Sequence, residues 1–249
     1  MAVKSRRRRR ALAVVVAALV ISAVAAVLIW QEKANQISSP SPTWRAEPTS
    51  GQAPPPVSPD ARYDLARQQL KALPVRGWDR TSDFKRYQFG QAWSDDVNVE
   101  FGHNGCNTRD DILRRDLKNL VVRTSTCYAQ SGTLTDPYTG VTIDFVRGPD
   151  TSNAIEIDHV VALADAWYKG ARTWDPQRRL DFANDPRNLL AVSPKANFDK
   201  AFRDAASWLP TNEAFRCDFV ARQIDVKTVY GLWLSAKEKK ALADVLSRC

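Results

Sequence analysis

The chain has 249 residues, of which 44% are hydrophobic and only 10 are glycine, so a protein disordered along its whole length is excluded. The formal net charge of +8 does not by itself indicate a nucleic-acid partner, because Lys4 and Arg6–Arg10 supply six of the basic residues. From residue 31 onward, 30 basic residues face 28 acidic residues. The function therefore has to be inferred from motifs.

The N-terminal part combines a basic segment, residues 1–10, with an uncharged run at residues 11–30 that lacks proline and glycine. About 20 apolar residues span a bilayer as a helix, and the basic flank stays in the cytoplasm. We therefore predict a single-pass anchor in the cell membrane, with the remaining chain outside. The alternative is a cleaved signal sequence, because Ala23-Val24-Ala25 has the small-x-small form of a cleavage site, and the protein would then be secreted.

A linker is expected at residues 31–60, which contain seven prolines among serines and threonines. Such a composition cannot bury a core and is typical of an extended spacer. The folded part is expected at residues 61–249, as one domain. Near its start, Ser58-Pro59 has the form of a helix N-cap followed by proline, and this first helix is expected to end before Pro74.

Turn and helix signals continue along the folded part. Asp136–Gly140 is rich in turn residues and lies between two strand-like stretches, which predicts a β-hairpin. Helix starts are predicted at three further places, namely Thr108 with Asp111, Ser193-Pro194, and Ser235 with Glu238. Because the last third is more helical than the middle, the pattern predicts an α+β fold.

Four cysteines occur in the chain, Cys106, Cys127, Cys217 and Cys249. An even count in an exported protein predicts disulfide bonds, and three pairings are possible. We expect Cys106 to pair with Cys127 and Cys217 with Cys249, because each pair lies within one sequence neighbourhood. A zinc site is the less favoured alternative, since no two cysteines have the close spacing of a zinc knuckle.

The most informative pattern lies at residues 155–200. The predicted order is strand, strand, helix, at Ile155–Val161, at Asn188–Val192 and from Ser193-Pro194 onward. Asp158 and His159 lie toward the end of the first strand. Asn197 and Lys200 are three positions apart and therefore share one face of the helix.

These side chains match the requirements of phosphodiester hydrolysis, which needs a base for water, a divalent cation and donors that hold the phosphate. His159 is a candidate general base, because its ordinary pKa lies near neutrality. Asp158 and Asn197 offer hard oxygen ligands, which suit Mg²⁺ or Mn²⁺ better than Zn²⁺. Lys200 is a candidate contact for a phosphate.

At these residues the sequence resembles the HNH endonuclease superfamily, in the variant where an Asp-His pair opens the motif and an asparagine replaces the last histidine. The resemblance implies a ββα-metal core, embedded here in a mainly helical domain. It also implies that His159 is the general base, that Asp158 and Asn197 bind the metal, and that Asn188 braces the loop and the histidine.

The resemblance extends over roughly residues 61–249. The segments "NGCNTRDDILRRDL", "GTLTDPYTG", "DHVVALADAW" and "FANDPRNLLAV" look like those of exported actinobacterial HNH proteins, which are related to the C-terminal nuclease domain of the GmrSD restriction enzymes. By the same resemblance, Arg109 in the "TR" element is a candidate substrate contact. Many relatives have a small residue and an acid after the motif lysine, whereas Ala201 and Phe202 follow here, so the sequence departs from the family pattern beside Lys200.

Two functions are compatible with the sequence. The leading hypothesis is a metal-dependent endonuclease outside the cytoplasm, with nucleic acid as its partner, DNA ahead of RNA, and no small-molecule cofactor. The alternative is a non-enzymatic extracellular module that binds nucleic acid or an envelope partner on the same scaffold. The intact set of Asp158, His159 and Asn197 favours the enzyme, since binding alone does not require it. His103, the only other histidine, is interpreted as a loop residue outside the site.

Overall fold

The computed structural model describes residues 59–79, 81 and 83–249. The predicted basic segment at residues 1–10, the membrane or signal segment at residues 11–30 and almost all of the linker lie outside the described residues. Within them, no helix is both long enough and apolar enough to cross a bilayer. The described residues form helices and two antiparallel sheets, so the predicted α+β class is confirmed.

Among the described residues, two α-helices precede the first strand and five lie after residue 162. In chain order they are α1 (Pro59–Ala72), α2 (Thr108–Asp116), α3 (Leu163–Tyr168), α4 (Pro176–Asn184), α5 (Pro194–Lys200), α6 (Arg216–Tyr230) and α7 (Ala236–Leu246). Between α2 and α3 lie the strands β1 (Lys118–Val122), β2 (Ala129–Thr135), β3 (Thr142–Val146) and β4 (Glu156–His159), and β5 (Leu189–Val192) lies between α4 and α5. A short 3₁₀ helix, Arg86–Phe89, lies in the long connection between α1 and α2.

The strands form two separate antiparallel sheets, one in the order β1-β2-β3 and one made of β4 and β5. The hairpin predicted around Asp136–Gly140 joins β2 and β3 and is confirmed. In the second sheet, Glu156 pairs with Val192 and His159 pairs with Leu189. The helix α5 follows β5 after one residue, so the order strand, strand, helix predicted for residues 155–200 is present.

The helix starts follow the local capping signals. The Ser193 side chain accepts a hydrogen bond from the amide of Ala196, and Ser235 with Glu238 forms a capping box at α7, as predicted. The prediction for α2 was wrong by one residue, because Asn107 is the N-cap residue. The Thr108 hydroxyl instead donates to the carbonyl of Ser94, which anchors the preceding loop.

The small sheet of β4 and β5 is buried on both faces. All four residues of β5 are buried, and they alternate between two hydrophobic clusters. Leu190 and Val192 pack with α1, α6 and α7, whereas Leu189 and Ala191 pack with α2 and the three-stranded sheet. β5 is therefore held by packing from both sides, and its pairing with β4 fixes the position of the end of β4.

Both predicted disulfides are present, Cys106–Cys127 and Cys217–Cys249. The first joins the loop before α2 to the connection between β1 and β2. The second joins the beginning of α6 to Cys249, three positions after the end of α7. Each bond therefore closes a local segment of the fold, as the sequence neighbourhoods predicted.

A buried ionic cluster connects α3 with α6 and α7. The ammonium group of Lys169 lies 2.5 Å from Asp165, 2.8 Å from Asp204 and 2.7 Å from Glu238, and Lys227 lies 2.8 Å from Asp165 and 2.5 Å from Glu238. Both lysines are fully buried. Burial lowers the pKa of Lys169, but the carboxylates of Asp165 and Glu238 raise it, and the net effect is an increase. Each charge in the cluster therefore depends on the others.

Removal of one lysine from this cluster should destabilise the fold. We expect Lys169→Met to lower the free energy of unfolding by about 3–5 kcal/mol in urea at pH 7, because it leaves the buried carboxylates of Asp165 and Glu238 with one ammonium group. Lys240→Met is the control, since Lys240 pairs with Asp244 on an exposed face and its loss should leave the urea midpoint unchanged. Equal midpoints for the two variants would contradict the prediction.

Candidate functional site

A cleft of about 470 Å³ opens where β4 faces α5. Its polar lining consists of Arg86, Glu156, Asp158, His159 and Asn197, and we refer to it as the polar cleft. Three of these residues, Asp158, His159 and Asn197, were predicted as site residues from the sequence. The antiparallel pairing of β4 with β5 and the immediate start of α5 bring them together from positions about 40 residues apart.

His159 is the last residue of β4 and is buried. Its Nε2 atom lies 2.8 Å from the carbonyl oxygen of Ala183, at the end of α4. Because a carbonyl oxygen only accepts hydrogen bonds, Nε2 carries the proton of a neutral ring, and Nδ1 has the lone pair. The indole ring of Trp93 stacks against the imidazole, with ring centroids 6.0 Å apart and an angle of 13° between the planes.

The surroundings of His159 keep its ring neutral. Burial and the nearby charge of Arg86 lower the pKa of His159 to about 3, and the hydrogen bond to Ala183 opposes this only in part. At neutral pH the imidazole is therefore unprotonated at Nδ1. A ring in this state can accept a proton from water.

Asp158 is buried, and each of its carboxylate oxygens accepts a hydrogen bond from the protein. The Tyr138 hydroxyl donates to Oδ2 over 2.6 Å, and the Lys200 ammonium group donates to Oδ1 over 3.0 Å. Burial raises the pKa of Asp158, and Lys200 and Tyr138 act in the opposite direction. Since a carboxylate has about four acceptor positions, these two bonds leave capacity for a further ligand.

Lys200 is the last residue of α5 and is fully buried. Besides its bond to Asp158, it donates to the carbonyl oxygen of His159 over 2.8 Å. The lysine therefore holds both the carboxylate and the backbone at the end of β4. Its side chain is not part of the lining of the polar cleft.

Asn197 and Glu156 face one another across the polar cleft. The Asn197 amide group donates to the Glu156 carboxylate over 2.7 Å. Within the described residues, the amide oxygen of Asn197 has no hydrogen-bond donor. Sequence reasoning assigned no role to Glu156, although its position two residues before Asp158 on the same strand places both on one face.

Asn188 and Arg109 fix the backbone on either side of β4. The Asn188 side chain accepts from the amide of Val161 over 2.8 Å and donates to the Val161 carbonyl over 3.2 Å, and its own carbonyl accepts from the amide of Val160. Asn188 thus braces the loop after His159. Arg109 donates to the carbonyls of Ser152 and Ile155, just before β4, and it does not line the polar cleft.

The polar cleft offers a donor set of oxygen atoms. No group of three or more His, Cys, Asp and Glu side chains suited to a metal occurs among the described residues. However, Asp158 and Glu156 contribute carboxylates and Asn197 contributes an amide oxygen. Because Mg²⁺ binds through one or two carboxylates and retains several waters, this set fits a hard cation.

Two comparisons relate the chain to known proteins. The family model described as the C-terminal domain of the GmrSD restriction endonucleases matches residues 107–245. An uncharacterized secreted protein of Arthroderma benhamiae is 35% identical over 197 residues, which cover 78% of this chain and 89% of that protein. No solved structure matches the chain. The matched residues 107–245 include every residue predicted to act in catalysis, metal binding or substrate binding.

The hydroxyl of Tyr138 should contribute measurably to stability. We expect Tyr138→Phe to lower the free energy of unfolding by about 1.5–3 kcal/mol, because it removes a hydrogen bond to a buried carboxylate and leaves the packing volume almost unchanged. Urea unfolding at pH 7 measures the change. Tyr128→Phe is the matched control, since Tyr128 is exposed, and a loss of similar size in both variants would contradict the prediction.

Proposed function

We propose that this chain, which belongs to the family of the C-terminal domain of the GmrSD restriction endonucleases, is a metal-dependent HNH endonuclease that hydrolyses phosphodiester bonds. One observation carries the proposal: a neutral histidine lies in the same cleft as a set of oxygen donors. In this proposal β4, β5 and α5 form the ββα-metal core.

His159 is the general base. Its Nδ1 atom takes the proton from the attacking water, while Nε2 keeps its own proton and donates it in a hydrogen bond to the carbonyl oxygen of Ala183, which holds the ring in position. Proton transfer to a positioned side chain contributes about 10²–10⁴-fold to a rate. Trp93 limits the tilt of the ring by stacking against it.

Asp158 and Asn197 are the proposed metal ligands, and Glu156 is a further oxygen donor beside them. A bound Mg²⁺, or Mn²⁺ in its place, would supply Lewis-acid stabilisation of the charge on the phosphate and the leaving oxygen. Tyr138 and Lys200 fix the Asp158 carboxylate, so both are positioning residues in this mechanism. The prediction that Lys200 contacts the phosphate is replaced by this positioning role, because the ammonium group is buried against Asp158.

Asn188 and Arg109 support the same geometry from the backbone. Asn188 holds Val161, two residues after His159, and thereby fixes the end of β4. Arg109 holds the carbonyls of Ser152 and Ile155, at the entry to β4. Its direct contact with the substrate stays a prediction from the family resemblance.

The proposed place of action is outside the cytoplasm. The two disulfides favour an oxidising compartment, and the relative from Arthroderma benhamiae is named as a secreted protein. Residues 11–30 then serve as a membrane anchor or as a cleaved signal, with residues 61–249 as the nuclease domain. The proposed substrate is nucleic acid, with DNA ahead of RNA.

The role of His159 as general base is tested by plasmid cleavage with the full chain in Mg²⁺, in Mn²⁺ and in a chelator. We expect His159→Ala to lower the cleavage rate at least about 100-fold, because the water loses its proton acceptor. His103→Ala is the matched control, since it removes the only other histidine, which lies exposed in a loop. Circular dichroism and urea unfolding establish that both variants are folded.

Two outcomes would contradict this proposal. If the wild-type protein cleaves neither plasmid, single-stranded DNA nor RNA with any cation, the chain is a binding module on a nuclease scaffold. If folded His159→Ala cleaves as fast as His103→Ala, another group takes the proton.

A further inference from the structure

A second cleft, of about 250 Å³, also borders His159. It is lined mainly by the segment from Arg86 to Trp93, including the rings of Tyr87, Phe89 and Trp93, and we refer to it as the aromatic cleft. Arg86, His159 and Leu163 line both clefts. The proposed general base, His159, therefore lies where the polar cleft meets the aromatic cleft.

Arg86 is an exposed cation at this junction. Among the described residues, its guanidinium group has no carboxylate partner and no hydrogen bond. Arg86 and His159 line the same two clefts, so the guanidinium group lies near the proposed general base. An arginine with unused donors beside the general base of a nuclease is suited to bind a phosphate group of the substrate. The planar guanidinium group can donate to two phosphate oxygens at once.

Tyr87 and Trp93 differ in how firmly they are held. The side chain of Trp93 stacks on His159, and its carbonyl accepts a hydrogen bond from the amide of Thr108. Tyr87 is 78% exposed, and its ring contacts no other aromatic ring within the described residues. A large, solvent-exposed aromatic ring beside a cleft is available for stacking with a planar ligand.

Exposed rings also border the polar cleft. Phe198 on α5 is 84% exposed and Phe202 is 57% exposed, and both line that cleft. Aromatic surface therefore lies on both clefts that meet at His159. In a duplex the base faces are stacked on one another, so protein rings reach them only when the strand is unpaired or a base is extruded.

We propose that the aromatic cleft is a nucleobase subsite, in which Tyr87 and Trp93 hold one unpaired base while Arg86 contacts the phosphate next to it. The inference rests on the proposed nuclease function and deepens it by naming the substrate class, an unpaired strand. The volume of 250 Å³ lies below the range of about 300–1,000 Å³ that suits drug-sized ligands, so it fits one planar base. Phe198 and Phe202 stack on the neighbouring nucleobases on the other side of the phosphate.

The first test compares cleavage of one labelled oligonucleotide as a single strand and as a duplex, with the full chain in Mg²⁺ and in Mn²⁺. The wild-type protein should cleave the single strand faster. Tyr87→Ala should lower kcat/KM for the single strand by about 5- to 150-fold, the range found for loss of one base-stacking ring, and Tyr87→Trp should restore it. Tyr128→Ala is the control, because Tyr128 is an exposed tyrosine that lines neither cleft.

A second test uses the position of the cut. In a single strand that is abasic except for one nucleotide, the wild-type protein should cut next to the remaining base, and Tyr87→Ala should lose this preference. Uniform cutting along the abasic strand by the wild-type protein, with an unchanged rate in Tyr87→Ala, would overturn the subsite while leaving the nuclease intact.

A binding measurement separates failure of the subsite from failure of the nuclease. In a chelator, the full chain should bind the unpaired strand more tightly than the duplex, and Tyr87→Ala should weaken binding of the strand. If the wild-type protein shows this binding but cleaves nothing with any cation, the subsite stands and the nuclease proposal falls. If binding is equal for strand and duplex and independent of Tyr87, the subsite is overturned.

Discussion

The buried carboxylate of Asp158 is stabilised by partners from two distant elements, the hydroxyl of Tyr138 and the ammonium group of Lys200. A carboxylate removed from water costs several kcal/mol unless it is paired and hydrogen-bonded. Tyr138 lies in the turn of the β2–β3 hairpin, Lys200 ends α5, and Asp158 lies on β4. The polar cleft can therefore form only when both sheets and α5 have packed together. The same lysine binds the carbonyl of His159, so the proposed base and the proposed metal ligand are held by one cation.

Local signals predicted much of the fold because they act over a few residues. The capping residues Ser193 and Ser235 begin α5 and α7 as expected, and both disulfides join cysteines from one neighbourhood. β5 was recognisable because a strand buried on both faces is almost wholly apolar. β4 was recognisable from the alternation of Glu156 and Asp158 with isoleucines. The N-cap of α2 was misplaced because Asn107 and Thr108 are both good capping residues, and a contact of Thr108 with the distant Ser94 decides between them.

The features of the site that the sequence did not predict depend on contacts between residues far apart in the chain. Tyr138 was interpreted only as part of a turn, and nothing local connects it with Asp158, twenty residues further along the chain. Helical spacing placed Asn197 and Lys200 on one face, yet one lines the cleft and the other is fully buried, because burial depends on what packs against the helix. Arg86 was missed for a similar reason, since it lines the clefts beside His159 from a separate segment of the chain. The predictions for residues 1–58 fall outside the described residues and stay predictions.

The partner that sets the tautomer of His159 is the backbone of Ala183, and this has an evolutionary consequence. A carboxylate in that place could be lost through a single codon change, whereas every amino acid carries the same carbonyl group. Substitutions at position 183 therefore leave the acceptor in place as long as α4 ends where it does. The tautomer of the imidazole is therefore set by the path of the backbone, and it tolerates sequence changes that would disable a histidine oriented by a side chain.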